Sequence, residues 1–376
     1  MKTITVSGNS VSDLSKKIEQ TIQSDFKPTL AISFGSVKCN LDEFVKIFNQ
    51  YDIQLFGASS AGEFINDDRI EESIVVMLLD ADPDSFAIFH EEADFATSYA
   101  AGNNLAKFGL DKFKDPVFLV TFSMTINGEG IIAGVHDMIP KERIFGGMAG
   151  DDFAMKATYS FTNDKISPSS LTGLVFDGEK IHVDGVAFCG WQPIGGRNRI
   201  TRSKDNVVYE INNQPAMEVV TKVFGGFYET LENDNVLMGA AQYPFQMVKD
   251  DKYVLRAALY SNEEDGSLVL AGPVQEGEEF RFSVAPGFEI IEQTIQNFKN
   301  YAVKKPTPDA LILFSCKARH MSLGPLVEDE LAGIHEIWDK DMIGFFTYGE
   351  IGLDEDGESN FYNETCSLVM ISEKSA

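Results

Sequence analysis

The chain has 376 residues, 44% of them hydrophobic, enough to bury one large core or two ordinary ones. Its 58 acidic against 31 basic side chains give a formal charge of −27, which opposes sustained contact with phosphate backbones or anionic lipid, so nucleic acid is not an expected partner. No stretch is long and apolar enough to span a bilayer, so no membrane insertion is expected.

Met1 to Val6 runs into polar Ser7, Asn9 and Ser10 and lacks the apolar segment of a signal peptide. Cys39, Cys189, Cys316 and Cys366 are scattered, with no CxxC pair, so neither a disulfide framework nor a zinc knuckle is expected and the reducing cytoplasm is the expected compartment.

Taken in chain order, the elements repeat. Leu14, Ile18 and Ile22 recur at helical spacing before Lys27-Pro28, and Thr29 to Phe34 reads as a buried strand. Leu41, Phe44, Val45 and Phe48 form the stripe of a second helix; Ile53 to Phe56 returns as a strand into Gly57-Ala-Ser-Ser-Ala-Gly62-Glu63, and Ser73 to Leu79 is a further strand. A second copy follows: Phe95, Ala101, Leu105 and Phe108 on a helix, a strand from Val117 to Ser123, a helix from Ile131 to Met138, the return Arg143 to Phe145, the turn Gly146 to Asp151, and a strand at Leu174 to Phe176. From Ile181 to Trp191, and again at Val207 to Ile211, Tyr253 to Tyr260 and Ser267 to Ala271, strands joined by Gly, Asn and Asp turns predict an antiparallel region. The third copy has Phe288, Ile291, Ile295 and Phe298 on its first helix, a strand from Ala310 to Phe314, a helix from Glu328 to Trp338, the turn Gly344 to Glu350, and a last strand from Ser367 to Ile371. Threefold recurrence of this order predicts an α/β fold bordering on α+β, built from repeated β-α-β units in mixed sheets, with the apolar runs pairing largely in parallel. A basic stretch, Arg197 to Lys204, suggests a boundary near Lys204 between regions 1–204 and 205–376.

The glycine-acid turns permit positive φ and close backbone approach, and in open α/β sheets such turns lie at the carboxyl ends of strands, where ligands bind. Glu63, Asp151 and Glu350 are therefore candidates to frame a small-molecule site, with Ser33, Ser123 and Ser315 on the same rim; the alternative is that the glycines solve packing and the acids cap backbone donors. Arg319, near Cys316, suits a ligand carboxylate or phosphate, or else pairs internally with Glu328 or Glu350. Tyr348 suits a partly polar pocket wall. Cys316 and His320, four apart, would meet on a helix as a nucleophile and base, although no GxSxG elbow is present. His320 followed by Met321 is the first choice for an axial haem ligand among five histidines that show no paired metal spacing.

Phe56 to Glu63, Ile144 to Asp152, Gly190 to Gly195, Phe314 to Arg319, and Gly344 to Glu350 with Asn363-Glu-Thr365 together resemble the FIST-domain proteins over nearly the whole chain. The resemblance implies N-terminal and C-terminal FIST regions and a sensory module for a small, amino-acid-like ligand, feeding a separate histidine kinase, chemotaxis receptor or cyclic-di-GMP enzyme. Some relatives are haem-binding nitric oxide sensors, the second reading. The family motif falls here on Glu63, Asp151, Cys316, Arg319, Tyr348, Glu350 and Asn363; Lys317-Ala318 departs from the small residue and glycine that relatives tend to place before the arginine. The expected activity is binding, with no chemistry of its own.

Overall fold

The computed structural model describes residues 1–22, 25–225, 240, 242–249, 252–285 and 287–374. Leu30–Ser36, Pro116–Phe122 and Ala310–Cys316 are strands buried along their whole length. A strand covered on both faces needs apolar residues on both, which is why these segments read as continuous runs. Each pairs in parallel with the strand reached through the following helical segment: Gln54–Ser60, Ile144–Met148 and Met342–Thr347 respectively. On its other side each pairs antiparallel with Ile74–Leu79, Ser170–Asp177 or Cys366–Glu373. Parallel pairing thus holds for one ladder per unit and not for most of the strands. The last strand of a unit arrives through a hairpin, not a helical crossover, and so runs back the other way.

An edge strand completes each sheet: Thr3–Gly8, Phe86–Glu92 and Ile181–Phe188. The last of these reads as part of the antiparallel region in sequence, but it pairs with Cys366–Glu373 in the third unit. Alternating burial marks it as a strand, and local alternation carries no information about which sheet it joins.

The units are bound together by exchanged hairpins. Glu63–Ile65 and Asp68–Ile70, from the first unit, extend the third unit's sheet at Met342–Thr347. Glu350–Leu353 and Ser359–Tyr362, from the third, extend the second at Ile144–Met148. Ser160–Thr162 and Ile166–Ser167, from the second, extend the first at Gln54–Ser60. The exchange closes a ring of three mixed sheets. Their inner faces share one core, where Phe34 packs at 4.4 Å from Phe345 and 5.9 Å from Phe314. Helices cover the outer faces: Val11–Ile22 with the short helices Leu41–Phe44 and Lys46–Asn49 on the first sheet, Ser98–Lys112 and Gly128–Met138 on the second, Glu289–Ala302 and Val327–Trp338 on the third.

Between Ile181–Phe188 and Glu289–Ala302 the chain makes an antiparallel sheet of its own. Gln192–Lys204 crosses it: its first part, through Arg199 and with an irregularity between Ile194 and Asn198, pairs with Glu279–Val284, and its end from Ile200 pairs with Val207–Ile211. The end strands, Lys252–Arg256 and Ala258–Asn262, are joined through Ala257, which bends what reads in sequence as one strand. Arg256 fastens this sheet to the ring. Its buried guanidinium pairs with Glu129 of the second unit and donates to the Phe361 carbonyl of the third at 3.1 Å.

Candidate functional site

The three glycine-acid turns meet at the centre of the ring. Gly150 N donates to Ser59 O at 3.0 Å, Ala61 N to Phe346 O at 3.0 Å, and Met148 N to Gly349 O at 2.8 Å. A Cβ on Gly150 would stand 2.6 Å from Ala61 N, so only glycine allows the first and second turns to approach this closely. The acids are buried at this hub. Glu63 accepts from the hydroxyls of Ser60 and Ser73, and Glu350 repeats the arrangement with Thr347 and Thr365. Burial pushes the carboxyl of Glu63 up to about 7 and that of Glu350 to about 8, against the lowering effect of those hydrogen bonds. Asp151 differs: it accepts from the amides of Met155, Lys156 and Ala157 and from the Tyr348 hydroxyl at 2.5 Å. The Tyr348 ring therefore spans the second and third turns, and burial with the Asp151 charge drives its phenol pKa upward.

Of the rim serines, Ser33 donates to Val75 O at 2.9 Å, Ser123 accepts from Ser170 N at 3.2 Å, and Ser315 is buried opposite Cys366 in the ladder. Each is part of the packing between strands.

Cys316, Tyr348, Glu350 and Asn363 are brought together in the third unit. Asn363 donates to Tyr348 O at 3.3 Å and accepts from Ala257 N at 3.4 Å, linking the third turn to the antiparallel sheet. Asn363 and Thr365 line a cleft of about 410 Å³ between that sheet and the third unit, along with Cys189, Gly190 and Leu255. Asp354, Glu355 and Asp356 stand at the same cleft. Between Asn363 and Thr365 lies Glu364, fully buried, with positive φ and with neither carboxyl oxygen partnered among the described residues. Burial, then the Glu350 charge, raises its pKa well above the ordinary value, and Arg319 offsets this in part.

Arg319 is the most heavily engaged of the predicted site residues. It pairs through two nitrogens with buried Glu330, and donates to Thr294 Oγ1 at 3.0 Å, Cys189 O at 2.8 Å and Glu364 O at 3.3 Å. Its ion-pair partner is thus Glu330, and not Glu328 or Glu350: position 330 faces inward on Val327–Trp338, whereas Glu328 is exposed and contacts Arg69.

Cys316 and His320 do not form a catalytic pair. Cys316 precedes the helix Lys317–Leu323 with extended backbone, so four-residue helical spacing does not apply to it. Its thiol packs among Ala257, Ala271 and Ala318, and burial with the charges of Glu350 and Glu364 holds its pKa well above the ordinary value. His320 instead stacks on Phe346 at 4.2 Å, with Arg69 Nη1 at 2.9 Å from Nε2 and Lys317 Nζ at 3.4 Å from Nδ1. An axial haem ligand needs one open ring nitrogen facing room for the macrocycle. Both nitrogens here face cations and one ring face is covered, so His320 does not fit haem ligation.

Glu364, Glu330, Arg256 and Lys317 were missing from the candidate site residues predicted from the sequence. Glu364 had a visible signal, since it lies between two motif residues; the importance of the others depends on partners distant in sequence. Among the described residues no group of three or more His, Cys, Asp or Glu side chains is arranged to hold a metal ion, and no helix is long and apolar enough to cross a membrane.

In comparisons with known proteins, no curated protein matches the chain. The FIST N domain matches residues 29–214 and the FIST C domain residues 216–353. The sheet ring with its exchanged hairpins and the cleft beside Asn363 and Thr365 are thus features of a chain that belongs to the FIST family, whose domains serve as small-ligand sensors in signal transduction.

Proposed function

We propose that the chain senses a small, amino-acid-like ligand whose amine enters the cleft between the third unit and the antiparallel sheet. The observation that carries this reading is Glu364: a buried carboxyl with no hydrogen-bond partner among the described residues, which does not itself line the cleft but is flanked in sequence by two residues that do. An unpartnered buried acid is costly, and an ammonium group supplies both the donor and the charge that relieve it. The acidic run Asp354 to Asp356 at the same cleft favours a cationic group.

Asn363 supports a route from ligand to output. It touches the third turn through Tyr348 O and the antiparallel sheet through Ala257 N, next to the Arg256 fastening. A ligand that binds one placement of the sheet better than another shifts the population between them, and a separate signalling protein, such as a histidine kinase or a cyclic-di-GMP enzyme, reads that shift.

Thermal-shift and calorimetric screening of the full chain with amino acids and simple amines tests the reading. At a ligand concentration one hundred times Kd, stability should rise by about 2.7 kcal/mol. Glu364→Gln should weaken the binding about tenfold or more, by removing the charge. Full affinity in that variant, or no ligand among amines of this size, removes the cleft from consideration.

A further inference from the structure

A second cluster lies outside the cleft, where the exchanged hairpin of the first unit crosses the third. Arg69 of the Asp68–Ile70 strand, and Lys317 and His320 of the Lys317–Leu323 helix, converge over the Phe346 ring. We propose that Arg69, Lys317 and His320 form a binding site for a small oxyanion, the carboxylate or phosphate group of a compact ligand.

The argument is a donor surplus. A neutral imidazole has one accepting nitrogen and one N–H, yet a cation stands at each ring nitrogen, Arg69 at 2.9 Å and Lys317 at 3.4 Å. At most one of these contacts is a hydrogen bond to the ring, and the longer one is at the weak limit of such bonds. Lys317 is half-buried, its Nζ lies 5.5 Å from the Phe346 centroid, and no carboxylate oxygen is within 4.0 Å of it among the described residues. Doubly protonating the ring would place a third cation between the other two. Burial, reinforced by Lys317 and Arg69, accordingly holds the His320 pKa down at about 3, and burial lowers that of Lys317. An oxyanion set between Arg69 and Lys317 accepts from both cations and relieves the surplus, leaving His320 beside it to report its presence.

The surroundings limit what fits. The Arg69 side chain is 29% exposed and gives access from solvent, and it already pairs with Glu71 at 3.4 Å and Glu328 at 3.5 Å, so the uncompensated charge of the cluster is that of Lys317. Glu63, Glu71 and Asp152 also act on Lys317 from beyond contact distance. This acidic surround repels a polyanion and favours a compact group of low charge. The Ser36 hydroxyl, 2.6 Å from Asp152 Oδ2, holds that carboxylate on the first unit.

Inorganic phosphate and acetate serve as probes on the full chain, followed by calorimetry and by the His320 ring resonances in NMR. Saturable binding of either anion, with the His320 resonances moving in step and its titration shifted toward higher pH, is the expected result. The anion that binds identifies the source as phosphate or carboxylate. Lys317→Met should weaken binding about tenfold or more, and Arg69→Gln, on a largely solvent-facing strand, should do the same without threatening the fold. No saturable movement of the His320 resonances with either anion, or unchanged affinity in Arg69→Gln, overturns the proposal.

Discussion

Replacing Arg319 with methionine tests the energetics of the third unit. The guanidinium and the Glu330 carboxylate are both fully buried, and burial alone would depress the arginine's pKa, but the Glu330 charge and hydrogen bonds outweigh it and the net shift is upward. Arg319→Met leaves the Glu330 carboxylate without its cation and strips donors from Thr294 Oγ1, Cys189 O and Glu364 O. Breaking one side of a buried ion pair costs about 3–5 kcal/mol, mostly because the other charge is stranded. Urea denaturation followed by circular dichroism should show that loss as a lower midpoint with little change in slope. The control is Arg319→Met combined with Glu330→Leu, which removes both charges and should recover most of the loss, short of what the two orphaned carbonyls cost. A single variant costing less than about 1 kcal/mol, or a double variant no more stable than the single, would refute the reasoning.

Other expectations concern the hub, the acids and the thiols. Glu350, raised to about 8, binds its proton more tightly in the folded chain than the unfolded value of 4.5 allows. Stability should therefore fall as pH rises from about 4.5 to about 8, by up to about 1.4 kcal/mol per pH unit, and Glu350→Gln should flatten this slope in thermal melts across the window. Gly150→Ala drives a Cβ to 2.6 Å from Ala61 N and 2.8 Å from Ser60 C, neighbours that are backbone and cannot swing aside. It should cost about 1–3 kcal/mol, whereas Gly196→Ala, with nothing within 4 Å of the new Cβ, should change stability by less than about 0.5 kcal/mol. A thiol probe on the native chain at neutral pH should modify Cys39 before Cys316 and Cys366, which are buried and held well above the ordinary thiol range; early labelling of Cys316 would contradict its placement.

Local pattern was enough to define the unit. Buried strands such as Leu30–Ser36 and Ala310–Cys316 are continuous apolar runs, their helices carry apolar stripes, and the glycine-acid turns follow the returning strands, so the strand-helix-strand order and the α/β class were legible before any contact was known. The parallel ladder in each unit followed from strand, helix, strand order. The hairpin exchange was not legible: Glu63–Ile65 and Glu350–Leu353 are short segments whose partners lie in another unit, and strand periodicity specifies a face, not a neighbour. For the same reason Arg319 could be identified as notable, but not as the partner of Glu330, eleven residues on and inward-facing only once the helix has packed. The repeated acids were visible from the sequence. Their burial at a common hub, the unpartnered carboxyl of Glu364 and the cations around His320 were decided by tertiary packing, because desolvation and charge proximity depend on which distant elements close over a side chain.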